Sequence, residues 1–114
     1  MKLLDTDAVI DQLKRREHEP GSIPVITLIE VLRGIPDEKR EQAKELIEES
    51  YQTIGLDNDA VLTYCTLYRK LRQEGETIPD ADLLIASTAI SRDMPIQTRD
   101  AHFQRLAAHG LRTA

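Results

Sequence analysis

The sequence predicts an α/β fold of three layers, with helices on both sides of a central, mostly parallel sheet of short strands. Two observations carry that expectation. Short apolar runs, at residues 2–4, 23–26, 52–56 and 95–98, alternate with longer segments whose apolar residues recur at helical spacing. No repeat, low-complexity stretch or internal linker interrupts the 114 residues, so they are expected to form one domain spanning 1–114.

Each element has a local reason. Lys2 to Leu4 reads as a buried strand ending at a polar pair, and Asp7 as the N-cap of a helix over Ala8 to Lys14 with Val9, Ile10 and Leu13 on one face. Pro20-Gly21 marks a loop, and Ile23 to Ile26 a second strand whose pairing Pro24 limits. Thr27 is expected to cap a helix to Leu32 or Arg33, with Glu30 completing a capping box and Gly34 and Pro36 stopping it. Asp37 opens a highly charged helix to about Tyr51 with a narrow apolar stripe of Ala43, Leu46, Ile47 and Tyr51. Gln52 to Leu56 reads as a strand. Asp57 or Asn58 then caps a long helix ending at Gly75, expected to bury Val61, Tyr64, Cys65, Tyr68 and Leu71. Asp80 to Ser91 is the most apolar helix and the expected central one, with Asp80 as its N-cap. Pro95 to Thr98 follows as a strand, His102 to Ala107 as a helical turn, and Leu111 to Arg112 as a last strand.

Composition excludes several classes. About two fifths of the residues are hydrophobic and under a third are charged, an ordinary soluble balance. The lone Cys65 rules out a disulfide framework and points to a reducing compartment. No apolar stretch approaches the roughly 20 residues of a membrane span, and the first residues lack a leader pattern, so a cytoplasmic protein is expected. The net charge of −5 argues mildly against non-specific nucleic-acid binding. Neutralising four carboxylates with metal would leave about −1, so bulk charge does not decide the matter.

Four acids stand at the edges of apolar segments. Asp5 ends Lys2-Leu3-Leu4, Glu30 lies within Val25 to Leu32, Asp82 opens Leu83-Leu84-Ile85-Ala86, and Asp100 follows Pro95 to Arg99. A carboxylate beside a core element is costly unless it is paired, hydrogen-bonded or bound to a metal. Two charges about 4 Å apart repel by about 4 kcal/mol at an effective dielectric near 20, more than a helix N-terminus returns. Gathered together, they must take up protons or a cation, and an all-oxygen set suits Mg²⁺ or Mn²⁺, the ions of phosphoryl chemistry. Each acid also has a plain reading as a strand-end acceptor, a capping-box residue, a first-turn acid or a turn cap. Only their joint occurrence points to a site.

Four stretches, Leu3-Leu4-Asp5-Thr6-Asp7, Ile26 to Gly34, Ile78 to Ser87 and Pro95 to Phe103, resemble in order and spacing the PIN-domain ribonucleases, and among them the VapC-type toxins of toxin–antitoxin pairs. The resemblance covers nearly the whole chain. It implies an acidic pocket of Asp5, Glu30, Asp82 and Asp100 holding one or two Mg²⁺ or Mn²⁺ ions, where metal-activated water hydrolyses RNA. Thr6 and Thr98 match positions that hydrogen-bond such ligands from behind, and Asp7 and Asp80 match positions that assist the ion through water. A homodimer and a cognate antitoxin are implied as well. Leu28, Ile29 and Leu32 with the helix from Asp37 could form a groove for the antitoxin, against the plainer reading that Leu46 and Ile47 pack on the core.

Among Arg33, Arg92, Arg99 and Arg105, Arg99 is the first choice for guiding a phosphate backbone because Asp100 adjoins it. His18, His102 and His109 form no ligand pattern in sequence and read as exposed surface. Cys65, Tyr64 and Tyr68 read as core. Two alternatives stand beside the nuclease. Asp5-Thr6-Asp7 resembles the Asp-x-Asp start of haloacid-dehalogenase-type phosphatases, and a PIN-like fold without catalysis could serve as an interaction scaffold.

Overall fold

The computed structural model describes residues 1–114. In chain order its elements are β1 (Leu3–Leu4), α1 (Thr6–Arg15), β2 (Ser22–Pro24), α2 (Val25–Arg33), α3 (Asp37–Ser50), β3 (Gln52–Ile54), α4 (Asn58–Gln73), α5 (Asp80–Ser91), β4 (Ile96–Gln97) and α6 (Ala101–Gln104), followed by a 3₁₀ turn at Ala107–His109. The four strands form one sheet in the order β3-β2-β1-β4, and every pairing is parallel. Leu3 lies opposite Ser22 on one side and Ile96 on the other.

Alternate residues of a strand face opposite sides of the sheet, and this divides the core. Leu3 joins a cluster of 13 buried residues with Ile54, Leu67, Leu71, Ile85, Ile96 and Phe103, built largely from α4, α5 and α6. Leu4 joins a cluster of 8 with Val9, Ile23, Leu28, Val31, Ile47 and Tyr51, from α1, α2 and α3. The result is the expected α/β/α layering. Helix α5 spans Asp80 to Ser91 as read from sequence and is buried on several faces, where Ser87 and Thr88 donate their hydroxyls to the carbonyls of Leu83 and Leu84.

Several local expectations are corrected. Asp5, not Asp7, is the N-cap of α1, and its Oδ1 accepts from the Ala8 amide at 2.9 Å. Helix α2 starts at Val25 directly after Pro24, so Thr27 is a buried helical residue and Glu30 is not a capping-box partner. Helix α5 is capped by Pro79, and Asp80 is its first helical residue. On α4 the buried stripe is Ala60, Leu67 and Leu71 with Tyr64 partly covered, while Val61, Cys65 and Tyr68 are exposed. That helix carries two apolar stripes about a quarter turn apart, and periodicity alone cannot choose between them. Ile47 is buried but Leu46 is 59% exposed. The last strand reduces to a single parallel bridge between Ile96 and Thr113.

At the edge of the β1–β2 contact, a Cβ added to Gly21 would lie 2.3 Å from Leu4 Cδ1, inside the packed core. Gly21→Ala is therefore expected to destabilise the protein by about 1–3 kcal/mol in urea unfolding. Gly55→Ala, where nothing lies within 4 Å, should stay within about 0.5 kcal/mol of the parent.

Candidate metal centre

Strand order creates the site. In a parallel sheet ligands gather beyond the carboxyl ends of the strands, where the order reverses. Here the chain leaves β1 towards β2 on one side and later returns as β4 on the other. Asp5 follows β1 directly, and Thr98 and Asp100 follow β4. Helices α2 and α5 bring Glu30 and Asp82 to the same end.

Asp5, Glu30, Asp82 and Asp100 line one cavity of about 310 Å³, together with Thr6, Asp7 and Arg33 and three apolar residues, Ile10, Ile85 and Phe103. Asp5 is the most enclosed acid, 2% exposed. Burial pushes its carboxyl above the ordinary 3.8, against the hydrogen bonds it accepts from the Thr98 hydroxyl and the Ala8 amide, and the charges of Asp7 and Asp100 push it the same way. Thr98 Oγ1 in turn accepts from the Asp100 amide at 3.0 Å, which directs its own hydroxyl hydrogen at Asp5.

Glu30 accepts the Thr6 hydroxyl at 2.6 Å on Oε1, and the Arg33 guanidinium stands 3.5 Å from Oε2. Asp82 lies in the first turn of α5, where the helix dipole favours a negative charge. Burial nonetheless raises its carboxyl above 3.8; His102 opposes the shift, and the charges of Asp100 and Glu30 add to it. Asp100 caps α6 through the His102 amide at 2.9 Å. Each acid thus has a donor of its own, while two of them are still held reluctant to ionise. A divalent cation would reverse that reluctance, and the hard oxygen donors fit one.

Sequence reasoning missed His102. Its Nδ1 is 3.1 Å from Asp82 Oδ2 and 3.5 Å from Asp100 Oδ1, and the three groups offer ligand atoms all within 4.8 Å of one another. Asp5 and Glu30 line the same cavity but stand outside that tight trio. The only signal in sequence was the offset from Asp100 to His102, one short turn that folds the ring back over its own cap. His102 keeps 42% of its side chain exposed, His109 is covered with 10% exposed, and His18 is exposed and lies edge-on to Tyr51.

Other candidates fall elsewhere. Asp80 is exposed and accepts the Tyr64 hydroxyl at 2.7 Å, a bond that pushes the phenol up to about 12, and it does not line the cavity. Arg99 lies 3.5 Å from Asp11 in an adjoining groove with Lys14 and Thr98. That groove shares Asp7 and Ile10 with the acidic cavity. Arg33 is the arginine on the cavity itself, three residues along α2 from Glu30. Arg92 is held 3.0 Å from Asp57.

The pattern of the PIN domain family matches residues 2–109. Ribonuclease VapC1 of Methanocaldococcus jannaschii is 37% identical over 96% of this chain and 84% of its own length. Ribonuclease VapC5 of Mycobacterium tuberculosis is 30% identical over 91% and 86%. Among solved structures, VapBC-1 from nontypeable Haemophilus influenzae superposes with a TM-score of 0.84 at 24% identity, covering 99% of this chain and 96% of that one. VapBC-5 of Mycobacterium tuberculosis gives 0.74 at 27% identity, with 98% of each chain covered. The phosphatase reading of Asp5-Thr6-Asp7 falls with that family match. The chain belongs to the PIN-domain family, within its VapC branch.

Proposed function

We propose that the chain is a Mg²⁺- or Mn²⁺-dependent endoribonuclease and the toxin half of a toxin–antitoxin pair. The observation that carries the reading is the meeting of Asp5, Glu30, Asp82 and Asp100 around one cavity that also holds Arg33. Kinship with proteins named Ribonuclease VapC1 and VapC5 supports RNA as the substrate. The solved VapBC toxin–antitoxin structures support an antitoxin as partner. Exposed apolar side chains that an antitoxin or a second copy of the chain would cover include Leu13, Ile29 and Leu46 on α1 to α3 and Val61, Leu62 and Tyr68 on α4. No helix is long and apolar enough to cross a membrane. A cytoplasmic homodimer, each copy acting as one domain, belongs to the same proposal.

In this reading the four acids hold one or two ions, which supply Lewis-acid polarisation of the phosphate and acidify water at the site. The rest is the work of the chain. Thr98 and Thr6 orient Asp5 and Glu30 through the hydrogen bonds their hydroxyls donate. Arg33 offsets charge on the bound phosphate, and Arg99 with Lys14 extends a basic margin along the adjoining groove. Asp7, exposed and lining both the cavity and the adjoining groove, would assist an ion through water. The apolar floor of Ile10, Ile85 and Phe103 keeps one side of the cavity dry and strengthens the electrostatics within it.

Asp5→Asn should abolish RNA cleavage while keeping the cap on α1, and the metal-free variant should be as stable as the parent or more so. In the parent, Mn²⁺ at about 100 times its Kd should add about 2.7 kcal/mol of stability, visible as a raised Tm. Cleavage by Asp5→Asn at the parent rate would overturn the assignment, and a catalytically dead scaffold would show no Mn²⁺-dependent rise.

The pH dependence follows from the raised carboxyls. A group with a raised folded-state pKa contributes stability below its unfolded value, lost as pH climbs through the folded value. The stability of the metal-free parent relative to Asp5→Asn should therefore decline from about pH 4 upwards, and Mn²⁺ should bind more tightly over the same range. Thermal melts across that range check both.

Arg33→Ala should weaken RNA binding and lower the salt slope by about one unit, with Arg99→Ala doing the same more weakly from its more distant position. Filter binding at several salt concentrations measures this.

A further inference from the structure

We infer that His102 is a direct ligand of the cation held by Asp82 and Asp100, and that its imidazole tilts the site towards Mn²⁺ over Mg²⁺. The inference rests on the metal-dependent reading above and adds to it a residue outside the acidic set. Around an ion with bonds of about 2.1 Å, neighbouring ligand atoms stand about 3 Å apart. The separations of 3.1 Å and 3.5 Å from His102 Nδ1 to the two carboxylates are close to such edges, and all three atoms fall within 4.8 Å.

The ring is placed by the fold. The His102 amide is bonded to Asp100 Oδ1 at 2.9 Å, and the next residue, Phe103, is buried in the core. Backbone on both sides of the ring is therefore held, and Nδ1 faces the gap between the two carboxylates. Without an ion, one hydrogen, on Nδ1 or on a carboxyl oxygen, must fill that gap, because three sets of lone pairs would otherwise oppose one another. A cation can take the hydrogen's place, the ring then carrying its hydrogen on Nε2.

Donor chemistry decides which ion gains. Mg²⁺ prefers oxygen and gives up water reluctantly, whereas an imidazole nitrogen suits transition metals, among which Mn²⁺ still accepts carboxylates. A His102 that only oriented Asp82 by hydrogen bonding would help both ions alike.

The test titrates Mn²⁺ and Mg²⁺ separately, by calorimetry and without RNA, into the metal-free full chain and its His102→Ala and His102→Asn variants. Mn²⁺ affinity should fall at least about tenfold in both variants and Mg²⁺ affinity less than about threefold. Equal losses for the two ions, or no loss for either, would overturn the inference. Pulsed electron paramagnetic resonance of the Mn²⁺-loaded parent needs no variant and should show coupling to a directly bound nitrogen. Mn²⁺ bound without that coupling overturns the role of His102 alone, whereas a parent that binds neither ion overturns the metal-dependent reading beneath it.

Discussion

The hydroxyl of Thr98 donating to the carboxylate of Asp5 joins two residues 93 positions apart in sequence. It is available only because β4 lies beside β1 in parallel register, Leu4 opposite Gln97, so that both strands release their chains at the same end of the sheet. From β1 the chain turns at once into α1, capped by the other oxygen of Asp5. From β4 it turns through Asp100 into α6. A different order of strands would set another strand between β1 and β4 and move Asp5 and Asp100 apart along the edge of the sheet, and the cavity between them would not exist.

That cavity is a balance of costs. Negative groups brought together repel, and burial makes ionisation dearer still for Asp5 and Asp82. The fold answers with neutral or basic partners set against every acid: Thr98 and the Ala8 amide on Asp5, Thr6 and Arg33 on Glu30, and His102 on Asp82 and Asp100. These donors hold the oxygens apart and in place without neutralising them fully. What remains is a preorganised concentration of negative charge against an apolar floor. Under the proposed function, such a site would take a small, strongly hydrated cation and then a phosphate.

The same economy shows in the helices. α5 buries Leu83 and Ile85 to Ala89 in the core and carries two acids, Asp80 and Asp82, in its first turn. α4 and α3 cover the sheet with a single stripe each and leave Val61, Leu62, Tyr68 and Leu46 outside. A protein made only of its own core would bury more of these. Contiguous apolar surface left open on helices away from the acidic cavity is the kind of surface a partner chain covers, as the proposed function requires.

Much of this was legible in sequence. Short apolar runs between helical segments dictated the layered α/β class, because a strand's period and length differ from a helix's. The bounds of α5 followed from its unbroken apolar run, and the acids could be named from their cost beside core segments. Which stripe of α4 is buried, where α2 begins and which acid caps α1 were decided by tertiary contacts, since local pattern allowed either answer. The same holds for His102, Arg33 and Arg99. Sequence ranked Arg99 by its neighbour Asp100, but side-chain direction turned it to Asp11 and left Arg33 on the cavity. Periodicity and composition report what a residue prefers; only the packed sheet determines which distant residues it meets, because strand order is set by contacts that no single segment contains.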